Sequence, residues 1–215
     1  MARCYPISLN IKDKLCLVVG GGAVAERKVH SLLECGARVR VVSPGLADGL
    51  ADLAESGDIE YRPGEYTVED LDGVFLVIAA TDGEQVNRRV AADCFERNLL
   101  VNAVDDPPNG NFFVPAVVRR ESLQVAVSTD GKSPLLARRI REYLDTVFSP
   151  GFGPMVEFLG DIRENIISNI DDDTSKKTIL AGLVDRQAMR LMLEGQFDLA
   201  KERISNAYHS SRSQS

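Results

Sequence analysis

The sequence lacks the features expected of membrane-embedded, disulfide-stabilised, metal-binding or nucleic-acid-binding proteins. It has no apolar run near the roughly 20 residues that cross a bilayer, and its first residues lack the apolar core of a signal peptide. The four cysteines form no Cys-x-x-Cys pair and have no histidine at metal-ligand spacing, so neither a disulfide framework nor a metal site is predicted. The formal net charge of −7 disfavours nucleic acid as a partner. We therefore expect a cytoplasmic protein that does not bind membranes.

What is present favours an α/β fold. The 215 residues are 44% hydrophobic and 27% charged, which suffices for one full domain and a smaller appendage. An apolar run at 15–19 leads into three glycines, then into a helical pattern at 23–35 that ends at Gly36, and then into a second strand at 37–42. This order is that of a βαβ unit. Further strands are predicted at 59–62, 74–79 and 99–104.

The strands alternate with helices, of which 84–97 is the clearest, so we predict a Rossmann-like, doubly wound parallel sheet. After a turn-rich stretch at 105–111 the alternation stops. Two strands at 112–118 and 123–128, joined by a polar turn at 119–122, precede a helix from Pro134 to about Phe148. We expect three parts: a dinucleotide-binding domain at 1–112, a small α+β dimerisation and substrate module at 113–149, and a helical region at 150–215.

The glycine turn fits the dinucleotide-binding fingerprint. In that pattern Gly20 permits the tight turn, Gly22 lets a pyrophosphate approach the backbone, and Ala25 allows close helix packing. One element is missing, because the second strand ends in Val-Ser-Pro-Gly at 42–45 where an acid commonly binds the adenosine ribose. The residues alone therefore leave NAD and NADP undecided.

Two more loops follow predicted strands at the edge where such sheets bind ligands. One contains Thr81, and the other contains Asn102 and Asp105. Neither histidine falls there, since His30 lies in the first predicted helix and His209 near the end of the chain, so Asp105 is the candidate for proton exchange. The alternative is that Asp105 or Asp106 only forms the turn.

The second module is unusually basic. Between Phe113 and Arg141 six cationic residues face two acidic ones, a balance of +4. Such a module can attract a small polyanion, although a solvated helix face explains the charge as well. Lys132 and Arg138 are the candidate contacts, and Ser133 lies where a helix N-terminus could hold a carboxylate.

Several sequence blocks together resemble a known family. They are Pro-Ile at 6–7, Val-Val-Gly-Gly-Gly-Ala-Val-Ala-Glu-Arg-Lys at 18–28, Ala-Ala-Thr-Asp at 79–82, Val-Asn at 86–87, Val-Asn-Ala-Val-Asp at 101–105 and Ser-Pro-Leu-Leu-Ala-Arg at 133–138. In this order they resemble the precorrin-2 dehydrogenase and sirohydrochlorin ferrochelatase family, which includes the N-terminal part of siroheme synthases. The resemblance spans about residues 3–145.

The resemblance implies NAD-dependent oxidation of precorrin-2 to sirohydrochlorin by a homodimer, in siroheme biosynthesis. It implies Asp105 as the catalytic acid–base residue and makes Fe²⁺ insertion into sirohydrochlorin a possible second reaction, with Fe²⁺ as a substrate. The cofactor contacts that it and the strand ends suggest are Gly20, Gly22, Ala23, Val24, Ser43, Pro44, Gly45, Thr81 and Asn102. A non-catalytic NAD(H)-sensing module is the alternative. The methyltransferase half of fused siroheme synthases is not expected.

Overall fold

The structure, a computed structural model, describes residues 4–104 and 106–212. The chain divides into two compact units, residues 1–114 and residues 115–215, and we describe each by itself. The first unit contains the predicted dinucleotide-binding domain. The second contains both the hairpin with its helix and the later helices. The finer division near residue 149 stays a prediction.

The first unit is a five-stranded parallel sheet with the order β3-β2-β1-β4-β5. Its strands are β1 (Leu15–Val19), β2 (Arg38–Ser43), β3 (Ile59–Pro63), β4 (Leu76–Ala79) and β5 (Leu100–Ala103). The helices are α1 (Ala23–Glu34), α2 (Asp48–Glu55) and α3 (Glu84–Glu96). This order is that of the first five strands of the Rossmann arrangement, in which the strand order reverses between β1 and β4. The predicted fold class is confirmed.

Side chains of β1 supply both layers of the core. Cys16 and Val18 pack in one cluster with residues of α1 and α2, whereas Leu17 and Val19 pack in a second cluster with residues of α3. Successive side chains of a strand point to opposite faces, so an apolar run without alternation is what a sheet covered on both faces requires. The continuous apolar run at 15–19 thus accounts for the doubly wound form.

In the first unit the boundaries of the predicted strands and helices differ from the structure by at most two residues, but α2 was not predicted. In the second unit the strand predicted at 112–118 lies at 116–120. No helix was predicted between β2 and β3, where residues 44–58 contain one proline and three glycines. In the structure Leu50 is fully buried and anchors α2 against the sheet. A short 3₁₀ helix at Val68–Leu71 was also not predicted.

The cysteines serve as packing residues. Cys16 and Cys94 are fully buried, and burial raises the pKa of the Cys16 thiol to about 11 and that of Cys94 to about 12. Cys35 is half-buried and is the C-cap of α1. Cys4 is exposed.

The second unit begins with an antiparallel hairpin. Its strands are β6 (Ala116–Arg120) and β7 (Leu123–Val127), and the helix α4 (Pro134–Val147) follows as predicted. The prediction of a four-residue turn at 119–122 is wrong. Arg119 and Arg120 continue the ladder opposite Gln124 and Leu123, and Glu121 takes the left-handed backbone conformation of a two-residue turn.

Four further helices complete this unit: α5 (Phe152–Asn169), α6 (Asp173–Leu183), α7 (Arg186–Leu193) and α8 (Phe197–Arg212). They enclose a third apolar core. Asp185 caps α7 by accepting from the Ala188 N–H at 2.8 Å and pairs with Arg203 of α8. The Arg203 guanidinium and that capping bond hold the pKa of Asp185 well below its ordinary range. No described helix is long and apolar enough to cross a membrane.

Candidate functional site

The glycine turn lies where the sheet reverses its strand order. Gly20 leaves β1 with φ of +127°, and its N–H donates to Val42 O at 2.9 Å. A β-carbon built there would lie 2.3 Å from Ala80 O, at the end of β4. Both the positive φ and the approach of the next strand therefore require glycine at this position.

Gly21 has a role that the sequence interpretation missed. Its carbonyl accepts from the Ala47 N–H at 2.7 Å, and a β-carbon on it would lie 1.9 Å from Gly45 O and 2.7 Å from Ser43 Oγ. The loop after β2 thus packs directly on the turn. The dinucleotide-binding fingerprint allows any residue at this position. In the sequence, the only sign of a further constraint was that all three residues at 20–22 are glycine.

Gly22 is different, because it faces open space. Apart from its chain neighbours, no atom of the described residues lies within 4 Å of a β-carbon built on it, and its φ of −90° suits any residue. Gly22 caps α1 without a side-chain hydrogen bond, and Ala23 beside it is exposed. The first N–H groups of a helix lack intrahelical partners and bind anions. At the start of α1 no side chain caps the first N–H groups, and Gly22 has no side chain that would fill the space in front of them. This arrangement fits the pyrophosphate of a dinucleotide.

The cofactor contacts predicted for the adenosine end lie in the loop after β2. Pro44 and Gly45 are exposed beside the turn, whereas Ser43 is only 8% exposed and its hydroxyl lies against Gly21. The Tyr61 hydroxyl also donates to Ser43 O at 3.0 Å. Ser43 therefore holds the loop in place, and the backbone at 44–45 forms the accessible surface.

Thr81 is held by a residue that was not predicted as part of the site. The buried Asn87 side chain accepts from the Thr81 N–H at 3.1 Å and hydroxyl at 2.8 Å, and its amide donates to Thr81 O at 2.9 Å. Asn87 thereby fixes both the backbone and the side chain of the loop after β4. The Val-Asn block at 86–87 was a signal, but its partner is apparent only in the fold.

Asn102 lies on β5 opposite Ile78 and is half-buried. Its amide donates to Phe112 O at 3.0 Å, so part of its hydrogen-bonding capacity holds the chain that leaves the sheet. Asn111 completes this arrangement along the edge of β5: its side chain accepts from the Val101 N–H and donates to Leu99 O, each at 2.8 Å. These bonds hold residues 111–112 against the edge of β5.

Asp105 lies outside the described residues. Its neighbour Asp106 forms the turn: the Asp106 carboxylate accepts from the Asn109 side chain at 2.7 Å, and its carbonyl accepts from the Asn109 N–H at 3.0 Å. Arg88 Nε lies 4.0 Å from the same carboxylate. Of the two roles considered for this acidic pair, turn formation falls to Asp106.

The predicted substrate contacts lie together in the second unit at the start of α4. Ser133 caps the helix by accepting from the Leu136 N–H at 3.3 Å, and Lys132 is exposed beside it. The exposed Arg138 donates to Glu142 at 2.9 Å, as does Arg139. These two arginines hold the pKa of Glu142 below its ordinary value. Glu142 therefore offsets part of the positive charge expected here.

Comparison with known proteins identifies the family. Residues 7–116 match the family described as "Putative NAD(P)-binding", and residues 120–145 match the one described as "Sirohaem biosynthesis protein central". The chain belongs to this NAD(P)-binding family. The two matches together confirm the resemblance drawn from the sequence blocks. Within the described residues no group of histidine, cysteine, aspartate and glutamate suits a metal ion.

Individual relatives agree with this NAD(P)-binding assignment. A siroheme synthase of Chromobacterium violaceum is 43% identical over 182 residues, which cover 83% of this chain and 39% of that protein. One of Thioalkalivibrio sulfidiphilus is 38% identical over 94% of this chain and 42% of its own length. The solved structure of "SirC, precorrin-2 dehydrogenase" matches with a TM-score of 0.78 and 28% identity, covering 95% of this chain and 98% of that one. The chain spans about two fifths of the siroheme synthases.

Proposed function

We propose that this protein is a precorrin-2 dehydrogenase that oxidises precorrin-2 to sirohydrochlorin with NAD⁺. The observation that carries the proposal is the match to a precorrin-2 dehydrogenase over almost the full length of both chains. The glycine turn, which fits a dinucleotide at the reversal point of the sheet, supports it independently. When bound, the nicotinamide cofactor accepts a hydride from the substrate.

In this proposal the chain binds the cofactor mainly through its backbone. The uncapped N–H groups at Ala23 and Val24 meet the pyrophosphate, and the missing side chain at Gly22 lets it approach. Pro44 and Gly45 bound the adenosine end, with Ser43 as their support. Gly20, Thr81 and Asn102 line the crevice at the carboxyl ends of β1, β4 and β5.

Asp105 is proposed to take the proton that leaves precorrin-2 when the hydride departs. In the sequence Asp105 comes two residues after the last residue of β5, and sheets of this kind bind their ligands at the carboxyl ends of the strands. Asp106 already has a structural role in the turn, which supports assigning proton transfer to Asp105.

The basic start of α4 is proposed to bind carboxylates of the substrate. Lys132 and Arg138 supply charge, and Ser133 marks a helix N-terminus where a carboxylate is favoured. The Arg138 side chain is 71% exposed, so its contact with Glu142 leaves other N–H groups accessible. An incoming carboxylate competes with Glu142 for this guanidinium group.

We further propose a homodimer. Leu136, Ile140 and Tyr143 lie along one exposed face of α4, a spacing that buries an apolar stripe against a partner helix or sheet. Sedimentation velocity should show a dimer that Tyr143→Glu dissociates.

Fe²⁺ insertion into sirohydrochlorin is a possible second reaction of the same site, with Fe²⁺ as substrate.

The test is an anaerobic assay of precorrin-2 with NAD⁺ and, separately, NADP⁺, following reduced cofactor and the sirohydrochlorin spectrum. We expect turnover with NAD⁺ that Asp105→Ala abolishes while NAD⁺ binding persists. Asp106→Asn is the matched control, which should weaken the turn but retain turnover. Full activity of Asp105→Ala would refute the assignment of the base. Tight NAD⁺ binding without any turnover would favour a sensor of NAD(H), and metal insertion without NAD⁺ would reveal a chelatase.

A further inference from the structure

An acidic group reaches the loop after β2 from an unexpected element. The end of β2 has no acid, yet Glu26 of α1 extends to the first turn of α2. A β-carbon built on Gly49 would lie 2.3 Å from Glu26 Oε1 and 3.3 Å from Oε2. Both carboxylate oxygens therefore lie against the backbone at Gly49, in space that any larger residue there would fill.

This contact is part of the cofactor site, because the loop and the turn are joined. The Ala47 N–H donates to Gly21 O, and Gly45 O packs against the Cα of Gly21. Glu26 lies in the first turn of the helix that Gly22 caps. Its carboxylate thus lies beside the loop that in this fold receives the adenosine ribose.

The segment that Glu26 contacts is acidic rather than basic. Residues 43–49 contain no lysine, arginine or histidine, and Asp48 adds a second carboxylate to the first turn of α2. Among the described residues, no cationic group lies within 4.0 Å of the Glu26 carboxylate.

We infer that Glu26 determines the preference for NAD over NADP by replacing the acid that the end of β2 lacks. The Glu26 carboxylate would repel an adenosine 2′-phosphate at the start of α2, where the helix N-terminus could otherwise bind an anion. It would not repel the neutral 2′-hydroxyl of NAD. The inference deepens the proposed function and rests on its use of NAD. It also explains why α2 carries a glycine at position 49, near its start.

The experiment compares Kd values for NAD⁺ and NADP⁺ by isothermal titration calorimetry on the full chain, at fixed low ionic strength. In Glu26→Gln the ratio of the NADP⁺ Kd to the NAD⁺ Kd should fall about five- to tenfold, mostly through tighter NADP⁺ binding. Glu26→Lys should lower the ratio further. Glu34→Gln removes the same charge from the far end of α1 and should leave the ratio unchanged.

Each outcome separates the inference from the proposed use of NAD. If the wild type binds both cofactors equally, NAD preference itself is wrong. If the wild type prefers NAD⁺ and both Glu26 variants keep its ratio, Glu26 is not the determinant. A parallel rise of both Kd values would likewise overturn the inference and would assign Glu26 to loop positioning alone. Thermal unfolding of each variant establishes that it is folded.

Discussion

Replacing Gly22 by alanine should abolish most cofactor binding without weakening the fold. Its backbone, with φ of −90° and ψ of −175°, is allowed for alanine, and no atom in the described part of the chain beyond its neighbours lies within 4 Å of the added carbon. Lower entropy of the unfolded chain stabilises such a variant by about 0.4–1 kcal/mol. Alanine is a poorer helix cap than glycine by a similar amount. The free energy of unfolding should therefore stay within about 0.5 kcal/mol of wild type.

The effect on binding is expected to be large. The added methyl group would occupy the approach to the uncapped N–H groups of α1, each of which is worth about 1.5–3 kcal/mol as a hydrogen bond to a charged group. Losing one such bond raises the Kd for NAD⁺ by about 10- to 100-fold.

Gly21→Ala is the informative comparison. Its added carbon would lie 1.9 Å from Gly45 O, so the loop after β2 must shift. Overpacking of this kind costs about 1–3 kcal/mol. This variant should lose stability as well as binding, whereas Gly22→Ala should lose binding alone.

Urea unfolding of the apo-protein and calorimetric titration with NAD⁺ measure the two quantities separately. Wild-type affinity in Gly22→Ala would show that the pyrophosphate does not approach this glycine, and the assignment of the turn would fail. A marked loss of stability in that variant would instead refute the claim that the space in front of Gly22 is open.

Three further predictions concern other parts of the chain. Asn87→Ala should raise the Kd for NAD⁺ and lower stability by about 1–3 kcal/mol, since it leaves the loop after β4 without its buried partner; wild-type binding, measured by titration, would contradict this. Asp185→Asn should lower the melting temperature at pH 7, and because the folded pKa of Asp185 lies below the unfolded value, the difference from wild type should shrink as the pH falls below about 4; a constant difference would exclude this ionic contribution. In the native protein at pH 8 a thiol reagent should modify Cys4 rapidly and leave Cys16 and Cys94 unmodified until unfolding; rapid modification of all thiols would contradict their burial.

The sheet was predictable because its signals are local. Buried parallel strands are continuous apolar runs, and each is bounded by glycine or by polar residues, so β1, α1 and β2 follow from residues 15–42 alone. The start of α4 follows from Pro134 after a capping serine. The helix α2 was not predictable, since one buried leucine anchors it and the sequence does not show that Leu50 meets the sheet.

The same distinction applies to the candidate site. Residues expected to touch a ligand belong to a local pattern, such as the turn at 20–22. Residues that hold those loops in place are defined by partners that no local pattern indicates: Asn87 bonds to Thr81, and Gly21 packs on Gly45. The contact of Arg138 with Glu142 within α4 has helix spacing, so it could have been noticed in the sequence.

This division has a mechanistic consequence. A dinucleotide that is bound mainly by backbone N–H groups is recognised by the backbone conformation of the loops around it. That conformation depends on the residues that hold each loop in place. In this chain Asn87 fixes the loop after β4, and Asn111 pairs along the edge of β5. Gly21 joins the loop after β2 to the turn. Affinity for the cofactor should therefore be as sensitive to these supporting residues as to the exposed backbone that meets the ligand, and substitutions of the two kinds differ in whether stability falls with affinity.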